Sequence, residues 1–140
     1  MQTLQGTIGF ELVGVCRAHR NRAAEALARI GLHPGQEMIL LQLREKGGTT
    51  QGELAARCGV EAPTISKALA RMASSGLVER HDDELDARAS RIHLTAKGRA
   101  LCAEVLKIWS NLERRSLGDM SAAEREILRG LLLRVKENLA

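Results

Sequence analysis

The stretch LVERHDDELDARASRIHLT, Leu77 to Thr95, decides how the rest of the chain is read. LVERH and SRIHL flank a polar tip, Asp82 to Ala89, and the pattern predicts two strands joined by a loop. Along the second strand Arg91 and His93 point one way while Ile92 and Leu94 point the other, so one face is dry and one is wet. The tip carries an acid and a base two residues apart, Asp86 and Arg88. Asp86 can hold the guanidinium by a charge-assisted hydrogen bond. That would spare roughly 1 kcal/mol of the rotamer entropy a long side chain loses when it is inserted into a narrow site.

Upstream of the hairpin lie two short helices. Thr50 to Cys58 opens with Thr50-Gln51-Gly52-Glu53, whose spacing predicts a reciprocal capping box, and Gly59 closes it. A second helix runs from about Glu61 to Ser75 and stops at Gly76. Two short helices, a turn and then a hairpin make a winged helix-turn-helix. Winding the second helix at about 100° per residue gathers Ile65, Leu69 and Met72 on the core side. Pro63, Lys67, Ala70 and Ser74 then face away, with Thr64, Ser66 and Arg71 on the flanks and no acid after Glu61. Small, hydroxylated and basic residues allow close approach to base edges and phosphates in a major groove. The same face also suits plain solvation, so the helix alone leaves the choice open.

Further out the periods lengthen. Ile8, Leu12, Val15, Ala23, Leu27 and Ile30 mark an amphipathic helix from Thr7 to Ile30. Gly31 ends it, Pro34 suits the first turn of the next, and Met38 to Leu43 reads as a buried helix ending at Gly47-Gly48. After the hairpin Thr95 caps a long helix through Leu101, Val105, Ile108 and Leu112. Ser121 and Glu124 form a second capping box before a last helix with Ile127, Leu131 and Val135 on one stripe. The expected order is α-α-α-α-β-β-α-α in a single domain, residues 1–140, mainly α with a small β component. The outer helices are too long and too apolar to cover themselves within a small globule.

Composition narrows the functions. A chain of 140 residues, 44% hydrophobic and 27% charged, has material for one core. Its only aromatic residues are Phe10 and Trp109, which favours helices over strands and argues against stacking single-stranded bases on rings. The charge of +4 and a pI of about 9.3 suit a polyanionic partner without requiring one. Three dispersed cysteines build neither a disulfide framework nor a zinc site. The opening lacks the pattern of a signal peptide, and no apolar run suits a membrane span, so a cytoplasmic protein is expected. Gly-rich phosphate loops, paired carboxylates in apolar settings and supported Ser/His/Asp orders are all missing, which speaks against an enzyme.

Gly76-Leu77-Val78-Glu79-Arg80, Asp86-x-Arg88 and Leu94-Thr95-x-x-Gly98 resemble the wing signature of the MarR (multiple antibiotic resistance regulator) family. Thr50-x-x-Glu53-Leu54-Ala55 and Thr64-x-Ser66-x-x-Leu69 agree in order and spacing, so the likeness spans nearly the whole chain. The resemblance implies a homodimeric transcription regulator; the expected partner is pseudo-palindromic duplex DNA, and no cofactor or metal is expected. Residues 1–32 and 96–140 would form a dimerisation lobe and residues 33–95 the DNA-binding lobe. The fourth helix (Pro63, Thr64, Ser66, Lys67, Arg71) would read the major groove, and the wing (Asp86, Arg88, Arg91) the minor groove. A crevice between the lobes, with Arg17, His19, Met38 and Trp109 as its candidate lining, would accept a small effector. Three departures stand out. Ala87 replaces a common second arginine, Asp82, Asp83 and Glu84 put negative charge on the wing, and Glu61 stands where an N-cap hydroxyl is usual.

Sensor chemistry is less well represented. The peroxide-sensing branch of the family places a reactive cysteine near the start of the first helix, held by tyrosines. This chain has Gly9 there, Cys16 two turns later and no Tyr. Cys16, Cys58 and Cys102 read as small hydrophobes. His19, His33, His81 and His93 do not converge as metal ligands, though His33 could cap the second helix. The expected function is a dimeric repressor relieved by an effector. The alternatives are a winged-helix module that docks a protein, and a thiol redox switch on the same fold.

Overall fold

The computed structural model describes residues 3–82, 85 and 90–140. Helices α1 (Ile8–Ala28) and α2 (Gln36–Glu45) lead into the short strand β1 (Thr49–Thr50) and helices α3 (Gln51–Cys58) and α4 (Ala62–Ser74). Strands β2 (Val78–Asp82) and β3 (Ser90–Leu94) follow, then α5 (Ala96–Leu117) and α6 (Ala122–Leu139). The mainly helical winged helix-turn-helix read from the sequence is present. Strand boundaries shift by one residue in β2 and not at all in β3.

The expected order lacked β1. A two-residue strand has no alternation to detect, and it exists because Thr49 and Thr50 pair antiparallel with Ile92 and Arg91, which puts β3 in the middle of the sheet. β2 pairs on the other side, Val78 opposite Leu94 and His81 opposite Arg91. Ile92 and Leu94 are buried while Arg91 and His93 are half-exposed, as the alternation requires.

One core holds these pieces together. Leu27 of α1, Leu40 and Leu43 of α2, Leu54 of α3, Ile65, Leu69 and Met72 of α4, Ile92 of β3 and Val105 of α5 are all fully buried. Each such side chain contributes about 1.5–3 kcal/mol relative to exposure. Thr7 caps α1 by accepting the Phe10 N–H, and Thr95 caps α5 by accepting that of Gly98. Ser121 and Glu124 complete the reciprocal box at α6. At α3 the Thr50 hydroxyl accepts the Glu53 N–H, which is one arm of the box expected there.

The α1–α2 junction differs from expectation. Pro34 precedes α2 instead of sitting in its first turn, because Gly35 takes the N-cap with a positive φ of 98°. His33 does not cap the helix; its own N–H donates to Oε1 of Gln36 at 3.0 Å. Met38, expected within a buried helix, is 40% exposed, since the dry side of α2 is Ile39, Leu40 and Leu43.

The family motif has a steric meaning here. Thr95 donates its hydroxyl to the Gly76 carbonyl at 2.6 Å and its N–H to the Leu77 carbonyl at 3.1 Å. A Cβ on Gly98 would lie 2.1 Å from that Leu77 oxygen, so only glycine lets α5 begin against the α4–β2 junction. The wing is thereby fastened to the helix-turn-helix by backbone.

Candidate nucleic-acid interface

Helix α4 starts without a side-chain cap from Glu61, as expected for a glutamate at an N-cap, and carries Pro63 in its first turn. Ile65, Leu69 and Met72 hold it to the core. Pro63, Thr64, Ser66, Lys67 and Arg71 are all exposed, so five of the residues singled out share the solvent side of one helix. No carboxylate occurs between Ala62 and Ser74, leaving Lys67 and Arg71 to set the sign of that face. Arg71 also borders a cleft of about 390 Å³ with His33 and Gln36 of the α1–α2 junction and Ser74 of its own helix.

Gly59 turns α3 into α4 with φ 66°, a conformation L residues rarely adopt, and its N–H caps α3. Gln51, at the start of α3, accepts a hydrogen bond from Arg80 of β2 at 3.0 Å. Lys97 of α5 donates to the Ser75 carbonyl at 2.8 Å. Helix pair and wing therefore present themselves as one framed surface.

Of the three wing residues singled out, the structure describes Arg91. Arg91 donates from Nη1 to the Gly48 carbonyl at 2.8 Å, clipping β3 to the loop before β1. Gly48 has φ +70°, and a Cβ there would come within 3.1 Å of the His93 ring. His81 and His93 face each other with ring centroids 4.6 Å apart, and Glu79 lies 3.0 Å from Nε2 of His81. Sequence spacing placed these histidines on opposite strands and puts Glu79 on the same face as His81; the Gly48 packing needs three-dimensional register to find. Asp86, Ala87 and Arg88 lie outside the described residues, as do Asp83 and Glu84, whereas Asp82 is exposed.

Among the proposed crevice residues, His19 and Trp109 meet, their rings 5.5 Å apart across α1 and α5. Arg17 and Met38 are exposed. A separate groove of about 370 Å³ between α1 and α5 has none of the four in its lining. Cys16, expected as a small buried hydrophobe, is exposed in the protomer. Cys102 is buried and its thiol is pushed up by burial, against the pull of Arg44 and Arg99. Burial and then Glu37 push the Cys58 thiol up as well. A raised thiol pKa disfavours the thiolate that peroxide chemistry needs. Among the described residues no cluster of three His, Cys, Asp or Glu could hold a metal, and no helix is long and apolar enough to cross a membrane.

The described geometry is that of known regulators. A family model described as "MarR family" matches residues 30–89. The transcriptional regulator HosA of Escherichia coli O127:H6 is 31% identical over 97 residues, covering 69% of this chain and 72% of the relative. The chain belongs to the MarR family. The crystal structure of a probable transcriptional regulator from Pseudomonas aeruginosa aligns with a TM-score of 0.85 at 32% identity, covering 95% of this chain and 99% of that one. A mutant MarR from E. coli, solved in complex with operator DNA, aligns at 0.82 and 25% identity, covering 91% of this chain and 92% of that one. MarR relatives of this kind are transcription regulators, not enzymes, and the DNA-binding fold of this chain is theirs.

Proposed function

We propose that two copies of this chain bind a pseudo-palindromic duplex site and repress transcription by occluding a promoter, until a small effector releases them. The observation that carries the reading is the α4 face, where Pro63, Thr64, Ser66, Lys67 and Arg71 are exposed with no acid among them. The operator complex of the MarR relative supports it, since that protein shares this framework. Thr64 and Ser66 would meet base edges near the helix N-terminus, and Lys67 and Arg71 would meet base edges or phosphates. Arg88, held by Asp86, would enter the flanking minor groove, and Arg88→Ala would then cost about 1–3 kcal/mol and relax an A·T preference beside each half-site. Arg91, whose guanidinium donates to the Gly48 carbonyl, would add a second cation at the base of the wing. Such a regulator works in the cytoplasm.

Pairing is argued from uncovered apolar side chains. Ile8, Val13 and Val15 on α1 and Ile127, Leu131 and Leu132 on α6 are 48–77% exposed, and α6 buries none of its residues in the protomer. Isolated proteins seldom leave so many large apolar side chains to water on two helices, so a second copy is the natural cover. Two recognition helices would then sit about 34 Å apart, with half-sites recurring at about 10 bp.

The test is selection of duplexes from a random pool by the purified chain at low salt. Enrichment of a palindrome is the expected outcome. A protein that enriches nothing, at any salt, would be a docking module for another protein and the regulator reading would fall.

A further inference from the structure

The outer face of the wing sheet carries a cluster that DNA reading by α4 does not use. Pairing of β2 with β3 sets Glu79 opposite His93 and His81 opposite Arg91, so these four share the side away from the buried Ile92 and Leu94. The two imidazole rings lie 4.6 Å apart, and Nε2 of His81 is 3.0 Å from the Glu79 carboxylate. His93 is seated against the loop before β1, where Gly48 has φ +70° and a Cβ would come within 3.1 Å of the ring. Arg91 donates to the carbonyl of that same glycine.

The fixed charges around the two rings balance. Glu79 and Arg91 offset one another on the sheet, and Glu45 and Lys46, exposed at the end of α2 ahead of the glycine loop, do the same. By strand alternation Arg80 and Asp82 belong to the other side of β2, where Arg80 donates to Gln51. β1 contributes only threonines. The sign of this face is therefore left to the imidazoles, side chains whose charge changes between about pH 5 and pH 8.

We infer that His81 and His93 form a proton-binding site that sets the wing's grip on DNA, each wing taking up about one proton as the complex forms. His81 receives the proton, because the Glu79 carboxylate stands within hydrogen-bonding reach to share it. The neighbouring ring resists a second proton, since two cations at that spacing repel one another. With the wing seated, the phosphates beside it fall within a Debye length of about 10 Å and feel the added charge. The neutral cluster offers them no net attraction. The sign follows from linkage: a complex that holds more protons than its free partners gains affinity as the pH falls. This inference rests on the reading of the chain as a duplex-binding regulator and adds a pH response to it.

The experiment is fluorescence anisotropy of a selected duplex titrated with the full chain, from about pH 8 down to about pH 5.5 at fixed ionic strength. Affinity should rise at least about tenfold across that range, the effect of a proton bound with the DNA. His81→Gln should bind as the wild type does at the alkaline end and lose most of the rise. His81→Lys, charged at every pH tested, should show at the alkaline end the affinity that the wild type reaches in acid. His33→Gln removes the histidine that lines the cleft beside Arg71 and should keep the full rise. A rise that survives His81→Gln, or one that disappears with His33→Gln instead, overturns the assignment. A chain that binds duplex equally well at every pH loses this inference alone. One that binds no duplex at any pH loses the regulator reading, and this inference with it.

Discussion

Ile65, Leu69 and Met72 of α4 and Ile127 and Leu131 of α6 sit on helices patterned by the same rule, apolar side chains three or four residues apart. The first three are 0–1% exposed; the last two are 63% and 49% exposed. The difference lies in what surrounds each helix. α4 is flanked by α3, the sheet and the start of α5, all within about forty residues of it in sequence, whereas α6 leaves the end of α5 through a short turn and its protomer offers it no cover. An apolar stripe in a sequence states that a face will be covered. It does not say whose side chains will cover it. In this chain the stripes of α3, α4 and the wing are answered from within, whereas those of α6 and of the first half of α1 stay exposed in the protomer.

That comparison is broken most severely at its inner half. Gly98 is where α5 passes closest to the winged-helix core, with the Leu77 carbonyl 2.1 Å from any added Cβ. Gly98→Ala should cost about 3 kcal/mol or more, because backbone and not a flexible side chain must give way. Urea unfolding followed by far-ultraviolet circular dichroism measures it. A loss under about 1 kcal/mol would mean that α5 can back away from the core more easily than its knot with Gly76 and Leu77 suggests.

The outer half should break differently. Ile127→Asp with Leu131→Asp puts charge on a face that is exposed in the protomer and, on the proposed reading, buried in the dimer. The dimer should weaken by more than about 100-fold while helix content is retained, since the substitutions touch no intramolecular core. Light scattering across a concentration series reads this directly. An unchanged dimer would mean that α6 is covered by something other than its own copy.

The DNA-facing side of the inner half gives smaller effects. Arg71→Ala should reduce affinity for a selected duplex by about 1–3 kcal/mol. Lys67→Ala should do less and should lower the slope of log K against log salt by about 1, the signature of one lost phosphate contact. Gel shifts at several salt concentrations separate the two. Identical salt slopes for wild type and Lys67→Ala would remove that lysine from the phosphate interface.

The legibility of the chain follows the same division. The core side of α4, the β3 alternation and the caps at Thr95 and Ser121 were readable because each is a local relation, a period or a spacing. β1 was not, because two residues in a strand are defined only by their partners in β3. His33 and Pro34 were misread because Gly35 takes the N-cap with a left-handed backbone, which nothing in the flanking residues announces. Cys16 was expected to be buried because it lies near an apolar stripe, and the first half of that stripe, Ile8 to Val15, is largely uncovered in the protomer while Ala23 and Leu27 are buried. The α1–α5 groove could not be seen at all. Its cations come from the end of α1 and from α5, about eighty residues apart in sequence, and only the packing of the two helices brings Arg29 near Lys107 and Arg115.

The smallest tests lie at the helix starts. Glu61 provides no side-chain bond to the first turn of α4, whereas Ser121 does so for α6. Glu61→Ser should therefore stabilise the fold by about 0.5–1 kcal/mol, and Ser121→Ala should cost about 1 kcal/mol. The second box adds a dependence on pH. The Ser121 N–H, and after it the Ser121 hydroxyl, hold the Glu124 carboxyl below the usual carboxylate range. A carboxyl depressed in the folded state stabilises it above the unfolded pKa, and that contribution is lost as the pH falls through the folded one. Glu124→Gln should thus lower stability at pH 7 and converge with wild type in acid, where both side chains are neutral. Thermal melts from pH 7 to pH 3 would follow the convergence. Parallel curves across that range would mean that the carboxylate contributes nothing to the cap and that the Ser121 hydroxyl supports α6 alone.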